Sequence, residues 1–323
     1  MPLTFVALNL LPLLCFQKWP RTQWWLTLWG CGMWGIWHAR SGGGVGLMAW
    51  LWIGIAVINS AASLVLGWRA SMAWPGRKGV AWRVLLAVGL HVLAVVLGVN
   101  WGWAWAVGVG ALIGGLWALA VFRPGCQWLG PVVRTTDRPG ILITIDDGPD
   151  PTDTPNLLDL LDRHQAKAIF FMIGEKVRAH PELAREVLRR GHEIGNHTLS
   201  HPQASFWGAG PLRTWREIAA CQELIEEVTG VRPRWFRAPV GHRNWFTHPV
   251  TAALGLRVMA WNRRGYDAVG ADVAKVLARI VPGMKAGDIV LLHEATPIAE
   301  VVLREVLERA YPRQNSAAAS HED

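Results

Sequence analysis

No aspartate or glutamate occurs in the first 122 residues of this 323-residue chain; all 24 acidic side chains lie at or after Asp137. The same stretch holds seven basic residues (Lys18, Arg21, Arg40, Arg69, Arg77, Lys78 and Arg83) and 15 of the 21 tryptophans. From Arg123 onward, 25 basic residues face 24 acidic ones. The net charge of +8 therefore belongs to the apolar part of the chain. A nucleic-acid binder carries its positive surplus on a soluble face. Here the surplus stands between hydrophobic runs, where lipid headgroups and topology explain it. The composition thus points to membrane lipids and away from nucleic acid.

A spanning helix needs about 20 mostly apolar residues. Gly44–Gly67, Val80–Val99 and Asn100–Phe122 meet that length. Gln23–Trp37 and Met1–Phe16 are shorter, and Met1–Phe16 lacks the basic start and small-residue cleavage site of a signal peptide. Residues 1–122 are thus expected to be an all-α transmembrane bundle of four or five helices, with tryptophans such as Trp19, Trp24, Trp68, Trp101 and Trp103 at the interfaces. Arg69, Arg77, Lys78 and Arg83 cluster around one loop, and the loop near Val99–Trp101 has no charge. The positive-inside rule puts the first loop in the cytoplasm. One further crossing returns the chain there at Arg123, so the expectation is a multi-pass protein of the inner membrane with a cytoplasmic C-terminal domain.

The rest divides into a linker, 123–140, with Pro124, Pro131 and Pro139; a domain, 141–311; and a polar tail, 312–323. Cys15, Cys31, Cys126 and Cys221 lack CxxC spacing, so neither a disulfide framework nor a cysteine metal site is suggested. Short apolar runs at Ile141–Ile145, Ala168–Ile173, His192–Gly195, Arg234–Arg237, Leu256–Trp261 and Asp288–Leu292 read as strands. Helices are expected from Thr154, over Pro181–Arg190, Pro211–Thr229, Ala271–Val281 and Ile298–Ala310. Repeated strand–helix units favour an α/β fold with a parallel sheet and helices outside, either open or closed into a barrel. Chemistry then gathers at the C-terminal ends of the strands. Asp146, Asp147, His197, Arg237, Asp267 and His293 all fall at or after such ends.

Two constellations carry the chemistry. In Thr144-Ile145-Asp146-Asp147-Gly148-Pro149, two adjacent carboxylates end a buried strand, which is costly unless they are paired or metal-bound. Successive side chains on an extended backbone point apart, so one can bind a metal while the other handles a proton. The plainer alternative is a solvated Asp-Asp-Gly turn. The second constellation contains His197 and His201, four apart, which share one side of a helical turn and can meet on one ion; the plainer alternative is a histidine pair in a surface loop. With Asp147 they make a two-histidine, one-carboxylate set that suits Zn²⁺ and also Fe²⁺, Co²⁺ or Mn²⁺.

Taken together, these motifs make the region from about Gly140 to Tyr311 resemble the polysaccharide deacetylases with a NodB-like domain, carbohydrate esterase family 4. The family's TFDDGP run corresponds to Thr144–Pro149, with Ile145 replacing Phe. Its H-[ST]-x-x-H run is His197–His201, and its R-x-P-x-G run is Arg237–Gly241. The fourth motif appears in part as Trp261–Asp267 and the fifth loosely as Val290–His293. The resemblance implies a distorted (β/α) barrel of the NodB type. It implies Asp147, His197 and His201 as ligands of a divalent metal, Zn²⁺ first, with Co²⁺, Mn²⁺, Fe²⁺ or Ni²⁺ as alternatives. Asp146 would be the general base, oriented by Arg237. The backbone N–H of Val240 would serve the oxyanion, and His293, held by Asp267, would be the general acid.

The implied reaction is hydrolysis of an N-acyl group, first of all acetyl, on an amino sugar of a polysaccharide or lipid-linked glycan. Related alternatives are a deformylase of a lipid-linked amino sugar and a non-catalytic glycan-binding or assembly protein that keeps the fold. Two departures from the pattern bear on substrate. Ala268, not Trp, follows Asp267, and extra polar residues stand nearby: His242, Arg243, Asn244, Arg263 and Arg264. Two adjacent arginines near a cleft suit an anion such as phosphate; the alternative is a solvated surface pair.

Overall fold

The computed structural model describes Gly89 and residues 103–311. The expected spans before Asn100, apart from Gly89, and the tail 312–323 lie outside the described residues. The chain divides into two compact units: Met1–Phe122 with Trp207–Thr214, and Arg123–Phe206 with Trp215–Asp323. In the first, α1 (Trp103–Phe122) is a 20-residue helix without a charged side chain. Val107, Leu112, Leu116, Leu119 and Phe122 are exposed on it. The side chains of Trp103, Trp105, Ala106, Gly110, Ile113 and Trp117 are outside the description. Among the described residues, no helix is long and apolar enough to cross a membrane. The transmembrane bundle thus stands as an expectation from sequence.

The second unit is built on a seven-stranded parallel sheet. Its strands are β1 (Leu142–Gly148), β2 (Ala168–Met172), β3 (Glu193–Asn196), β4 (Trp235–Phe236), β5 (Arg257–Val258), β6 (Arg263–Arg264) and β7 (Ile289–His293), in the order β5-β4-β3-β2-β1-β7-β6. Both edge strands belong to one continuous stretch, 257–264. The sheet therefore curls until its two edges approach each other on that stretch, a curled half-barrel rather than an open sheet.

Of the stretch expected as one strand, Leu256–Trp261, Arg257–Val258 forms β5, and a bend from that edge toward β6 follows. Asn262 holds it: its Nδ2 donates to Asp288 Oδ1 at 2.6 Å and its Oδ1 accepts from the Ile289 N–H at 2.7 Å. Alternation along the strands then sorts the side chains. Ile143, Ile145, Phe170, Met172, Val290 and Leu292 pack outward against the helices. Leu142, Ile169, Phe171, Met259 and Ile289 pack together on the inner face. Burial on both faces explains why β2 reads Ala-Ile-Phe-Phe-Met with no polar residue.

The helices are α2 (Asp153–Arg163), α3 (Gly174–Ala179), α4 (Pro181–Arg189), α5 (Pro211–Thr229), α6 (Thr247–Ala253), α7 (Val273–Ile280) and α8 (Ala299–Ala310). Leu157, Leu158, Leu160 and Leu161 of α2 are buried, as their spacing predicts. Asp272 caps α7 by accepting from the Lys275 N–H at 3.1 Å, which places its start after Ala271. Two helices escape the sequence pattern. α3 has only six residues. α6, Thr-His-Pro-Val-Thr-Ala-Ala, has poor propensity, but Asn244 organises its start: its N–H donates to Thr247 Oγ1 and its Oδ1 accepts from the Phe246 N–H.

At the upper end of β1 and β7, Glu294 packs against Gly148, where a Cβ would lie 2.7 Å from Glu294 Oε2. That oxygen accepts from Thr154 Oγ1 at 2.6 Å and from the Asp150 N–H at 2.8 Å, and so ties the first turn of the domain to its last strand. Oε1 is buried without a partner. Burial pushes the Glu294 carboxyl up from its ordinary 4.5 to about 8, against the hydrogen bonds from Thr154 and Asp150. Below pH 4.5 both folded and unfolded chains hold this proton. Between about 4.5 and 8 the folded chain alone keeps it, so stability falls as pH rises through that window. Glu294→Gln should flatten the decline, and its advantage over the parent should grow by a few kcal/mol, on the order of the pKa gap, from pH 5 to pH 8. Urea unfolding across that range measures it; parallel curves for the two proteins would remove the protonated carboxyl from the account.

Candidate active site

β1 ends in a register shift between Asp146 and Gly148. Asp147 sits at φ 71°, a left-handed conformation that residues other than glycine seldom adopt. This turn sends the two neighbouring carboxylates to different partners. Asp146 stays on the inner face with Thr144, and both are buried. Asp147 turns toward the loop after β3.

That loop is not a helix. His197–His201 is irregular, with Thr198 at φ 71° and His201 at φ 49°. The expectation of a helical turn is corrected here: hydrogen bonds to neighbouring elements, not an i,i+4 ladder, set the histidine spacing. Asn196 Oδ1 accepts from the Thr198 N–H at 3.0 Å, and its Nδ2 donates to Ile218 O and Gln222 Oε1 on α5. Glu217 accepts from the Ser200 N–H and Oγ at 3.0 and 2.8 Å. The loop is thereby pinned to α5 on two sides.

The result is a three-donor cradle. Asp147, His197 and His201 each offer a ligand atom, and these atoms lie within 4.8 Å of one another. Asp147 Oδ1 is 3.4 Å from His197 Nε2 and 3.2 Å from His201 Nε2. The same Oδ1 is buried with no hydrogen-bond partner, an orphan that a cation would satisfy. His197 Nδ1 lies 2.8 Å from the Arg237 carbonyl, which takes up that nitrogen and leaves Nε2 facing the cradle. Burial opposes charging His197, but Asp146 and Asp147 prevail and raise its pKa. Burial and then the His197 charge hold His201 down to about 4, a neutral imidazole near pH 7. Burial works against the Asp147 anion, yet His197, His201 and His293 keep its carboxyl below the usual range. The cradle favours positive charge, and its nitrogen and oxygen donors fit a divalent ion of the Zn²⁺ class.

Arg237, at the end of β4, reaches Asp146 Oδ1 with Nη1 at 2.6 Å and Thr144 Oγ1 at 2.9 Å. Its Nη2 donates to Ala260 O at 3.0 Å, and its Cζ lies 4.1 Å from the Phe171 ring centroid. Across β1, His293 is the register partner of Asp146. His293 Nδ1 lies 2.9 Å from Asp267 Oδ1, and its backbone N–H donates to Asp267 Oδ2 at 2.8 Å. Burial opposes the imidazolium, but the hydrogen bond and charge of Asp267, with Asp146 and Asp147 behind them, raise the His293 pKa.

Asp146, Asp147, His197, His201 and Arg237 thus form one contact network, and His293 with Asp267 stands beside it. Val240 stands three residues after Arg237, in the 3₁₀ turn Pro239–Gly241 at φ 56°, ψ 7°. Left-handed geometry is strained for a β-branched residue. The paired arginines do not act together. Arg263 is drawn to Asp288 Oδ2 at 2.8 Å and to the carbonyls of Pro282 and Gly283, while Arg264 faces the other way. Arg243 is buried and donates to Cys126 O at 2.5 Å, which anchors the linker. Sequence reasoning missed Thr144, Asn196, Glu217 and Glu294. Each adjoins a motif residue in sequence or touches one, but only Asn196 and Glu294, polar at the ends of apolar strands, left a signal.

The family model described as Polysaccharide deacetylase matches residues 133–259, which include the cradle, Asp146, Arg237 and Val240 but neither Asp267 nor His293. The peptidoglycan-N-acetylglucosamine deacetylase of Bacillus cereus is 38% identical over 156 residues, 48% of this chain and 72% of its own. A chitooligosaccharide deacetylase of Bradyrhizobium sp. is 34% identical over 161 residues, 50% of this chain and 73% of its own. The crystal structure of the Bc1960 peptidoglycan N-acetylglucosamine deacetylase superposes with a TM-score of 0.52 at 23% identity, over 55% of this chain and 85% of that one, a likeness of fold. With the motifs on a curled parallel sheet and these relatives beside it, the chain belongs to the polysaccharide deacetylase family, hydrolases of carbon–nitrogen bonds other than peptide bonds.

Proposed function

We propose that this protein removes the N-acetyl group from N-acetylhexosamine units of a glycan. The observation that carries the reading is the convergence of Asp147, His197 and His201 beside two separately held pairs, Asp146–Arg237 and His293–Asp267. Relatives named for peptidoglycan-N-acetylglucosamine and chitooligosaccharide support the substrate class.

Amide hydrolysis needs an activated water, a stabilised oxyanion and a proton for a poor amine leaving group. A divalent ion held by Asp147, His197 and His201 supplies a Lewis acid that polarises the carbonyl and lets water attack near pH 7. Asp146 receives the proton of the attacking water: Arg237 fixes Oδ1, and Oδ2, 3.6 Å from His197 Nε2, faces the cradle. The Val240 N–H serves the oxyanion as a main-chain donor, indifferent to its side chain. His293 hands a proton to the departing nitrogen from Nε2, because Nδ1 is committed to Asp267. The base is paired with a guanidinium and the acid with a carboxylate.

The acid-free first 122 residues support a membrane location, and their loop charges support a cytoplasmic catalytic unit. On that side a lipid-linked sugar is a more accessible substrate than a finished wall polymer.

Metal analysis of the full-length protein should find about one divalent ion per chain, lost in His197→Ala; unchanged content in the variant would refute the ligand set. Asp146→Asn should keep the ion and lose acetate release from N-acetylated chitooligosaccharide by roughly 10²–10⁴-fold. Full turnover by that variant would remove Asp146 as base. A phosphatase reporter fused after Asp323 should stay inactive; strong periplasmic activity would reverse the orientation.

A further inference from the structure

Arg264, one of the two adjacent arginines, belongs to neither the cradle nor the Asp146–Arg237 and His293–Asp267 pairs. Arg264 pairs in register with Leu291 of β7, and Arg263 with Val290. Val290 packs outward against the helices, and Arg263 follows it to Asp288. Leu291 alternates with it, so Arg264 lies on the inner face that also carries Thr144, Asp146 and His293.

There it joins a ladder of rings and guanidinium groups. The Cζ of Arg237 lies 4.1 Å from the Phe171 centroid and 5.5 Å from Trp261. The Cζ of Arg264 lies 5.2 Å from Trp261 and 4.5 Å from Tyr266. The two cations differ in their neutralisation. Arg237 has Asp146 at 2.6 Å. Arg264 has no carboxylate within salt-bridge distance among the described residues, and its Nε is buried without a hydrogen-bond partner. Ring stacking engages the face of a guanidinium and leaves its N–H edge available. A cation held this way and left unneutralised is poorly explained by packing alone.

Its neighbours locate it. Trp261 abuts Gly241, where a Cβ would fall 2.5 Å from the ring's Cη2, and Gly241 follows Val240. Tyr266, 48% exposed, precedes Asp267, so the ladder opens to solvent next to the His293 pair. β6 lies beyond β7 in the sheet, on the His293 side. On the deacetylase reading, this is where the sugar nitrogen departs, so a group meeting Arg264 belongs to the saccharide and not to the acyl fragment.

We propose that Arg264 binds an anionic oxygen group, a phosphate or a carboxylate, carried by the glycan whose N-acetyl group enters the site. This rests on the deacetylase reading for its orientation. Bidentate contact with such a group uses the planar fork that lysine lacks.

The test uses the full-length protein with its divalent ion restored. Acetate release is compared for neutral N-acetylchitotetraose, the same oligosaccharide with an anomeric phosphate, and one ending in a uronic acid. The parent should favour an anionic substrate in kcat/KM, and the preference should shrink with added salt. Arg264→Gln should lower the anionic-to-neutral ratio about tenfold or more, and Arg264→Lys should recover part of it. The arm that loses more identifies phosphate or carboxylate. A ratio that neither variant changes overturns the proposal, since a purely structural arginine would weaken all three substrates alike. Binding of N-acetylglucosamine 1-phosphate against N-acetylglucosamine, by calorimetry, gives a readout without turnover. Arg264-dependent phosphate binding without hydrolysis of any substrate would sink the deacetylase reading and leave the anion site. Hydrolysis with Arg264-independent binding and ratio would sink the anion site alone.

Discussion

A guanidinium stripped of water is expensive to keep inside a protein, and Arg237 is 1% exposed. Burial pushes its pKa down, and the Asp146 charge and hydrogen bond pull it back. It holds because its donors find Asp146, Thr144 and the carbonyls of Met259 and Ala260. Those partners come from β1 and from the stretch that carries both sheet edges, and the residue itself leaves the end of β4. One side chain thus draws the curled sheet across its own interior. Removing it would leave Asp146 buried without a counter-charge, at a cost of about 3–5 kcal/mol typical of broken buried pairs. The pair does more to aim Asp146 than to stabilise the fold, because an apolar replacement of both partners could pack as well.

On the proposed mechanism, the same end of β1 does two incompatible things. A carboxylate that takes a proton has to keep an oxygen free of strong cations, and a ligand carboxylate has to face one. The left-handed turn at Asp147 separates the two within one peptide. Lys176 Nζ donates to the Asp147 carbonyl at 2.6 Å, so a neighbouring helix holds the strained peptide in place. The backbone strain is compensated by contacts around it, as expected where geometry serves a site.

Much of this was legible in the chain. Apolar runs marked the buried strands because both faces of a parallel sheet are covered, and polar residues at their ends marked the site. Leucine spacing marked α2. The illegible parts share a physical cause: non-local hydrogen bonds decide them. Histidines four apart suggest a helical turn, yet Glu217 and Asn196 hold His197–His201 in an irregular loop. Leu256–Trp261 looks like one strand, but only Arg257–Val258 is β5; a bend at Asn262, bonded to Asp288, carries the chain on to the opposite edge. Adjacent arginines look like a joint anion site, but strand alternation sends Arg263 to Asp288 and Arg264 inward. α6 has poor propensity and is set by the Asn244 and Thr247 side chains.

The strand order gives the chemistry a direction. The cradle takes its donors from the end of β1 and the loop after β3, on one side of Asp146. His293 stands on the other side, as the register partner of Asp146 on β7. On the proposed mechanism, the bond broken between these groups lies across the end of β1, with its carbonyl toward the cradle and its nitrogen toward β7. Acyl fragment and saccharide then occupy opposite sides of one strand, and residues beyond β7 meet only the saccharide. Residues 261–267, which carry β6 beyond β7, lie outside the family match at 133–259 and hold the incomplete fourth motif, with Ala268 after Asp267. A shared reaction on a different glycan calls for divergence where the saccharide would lie.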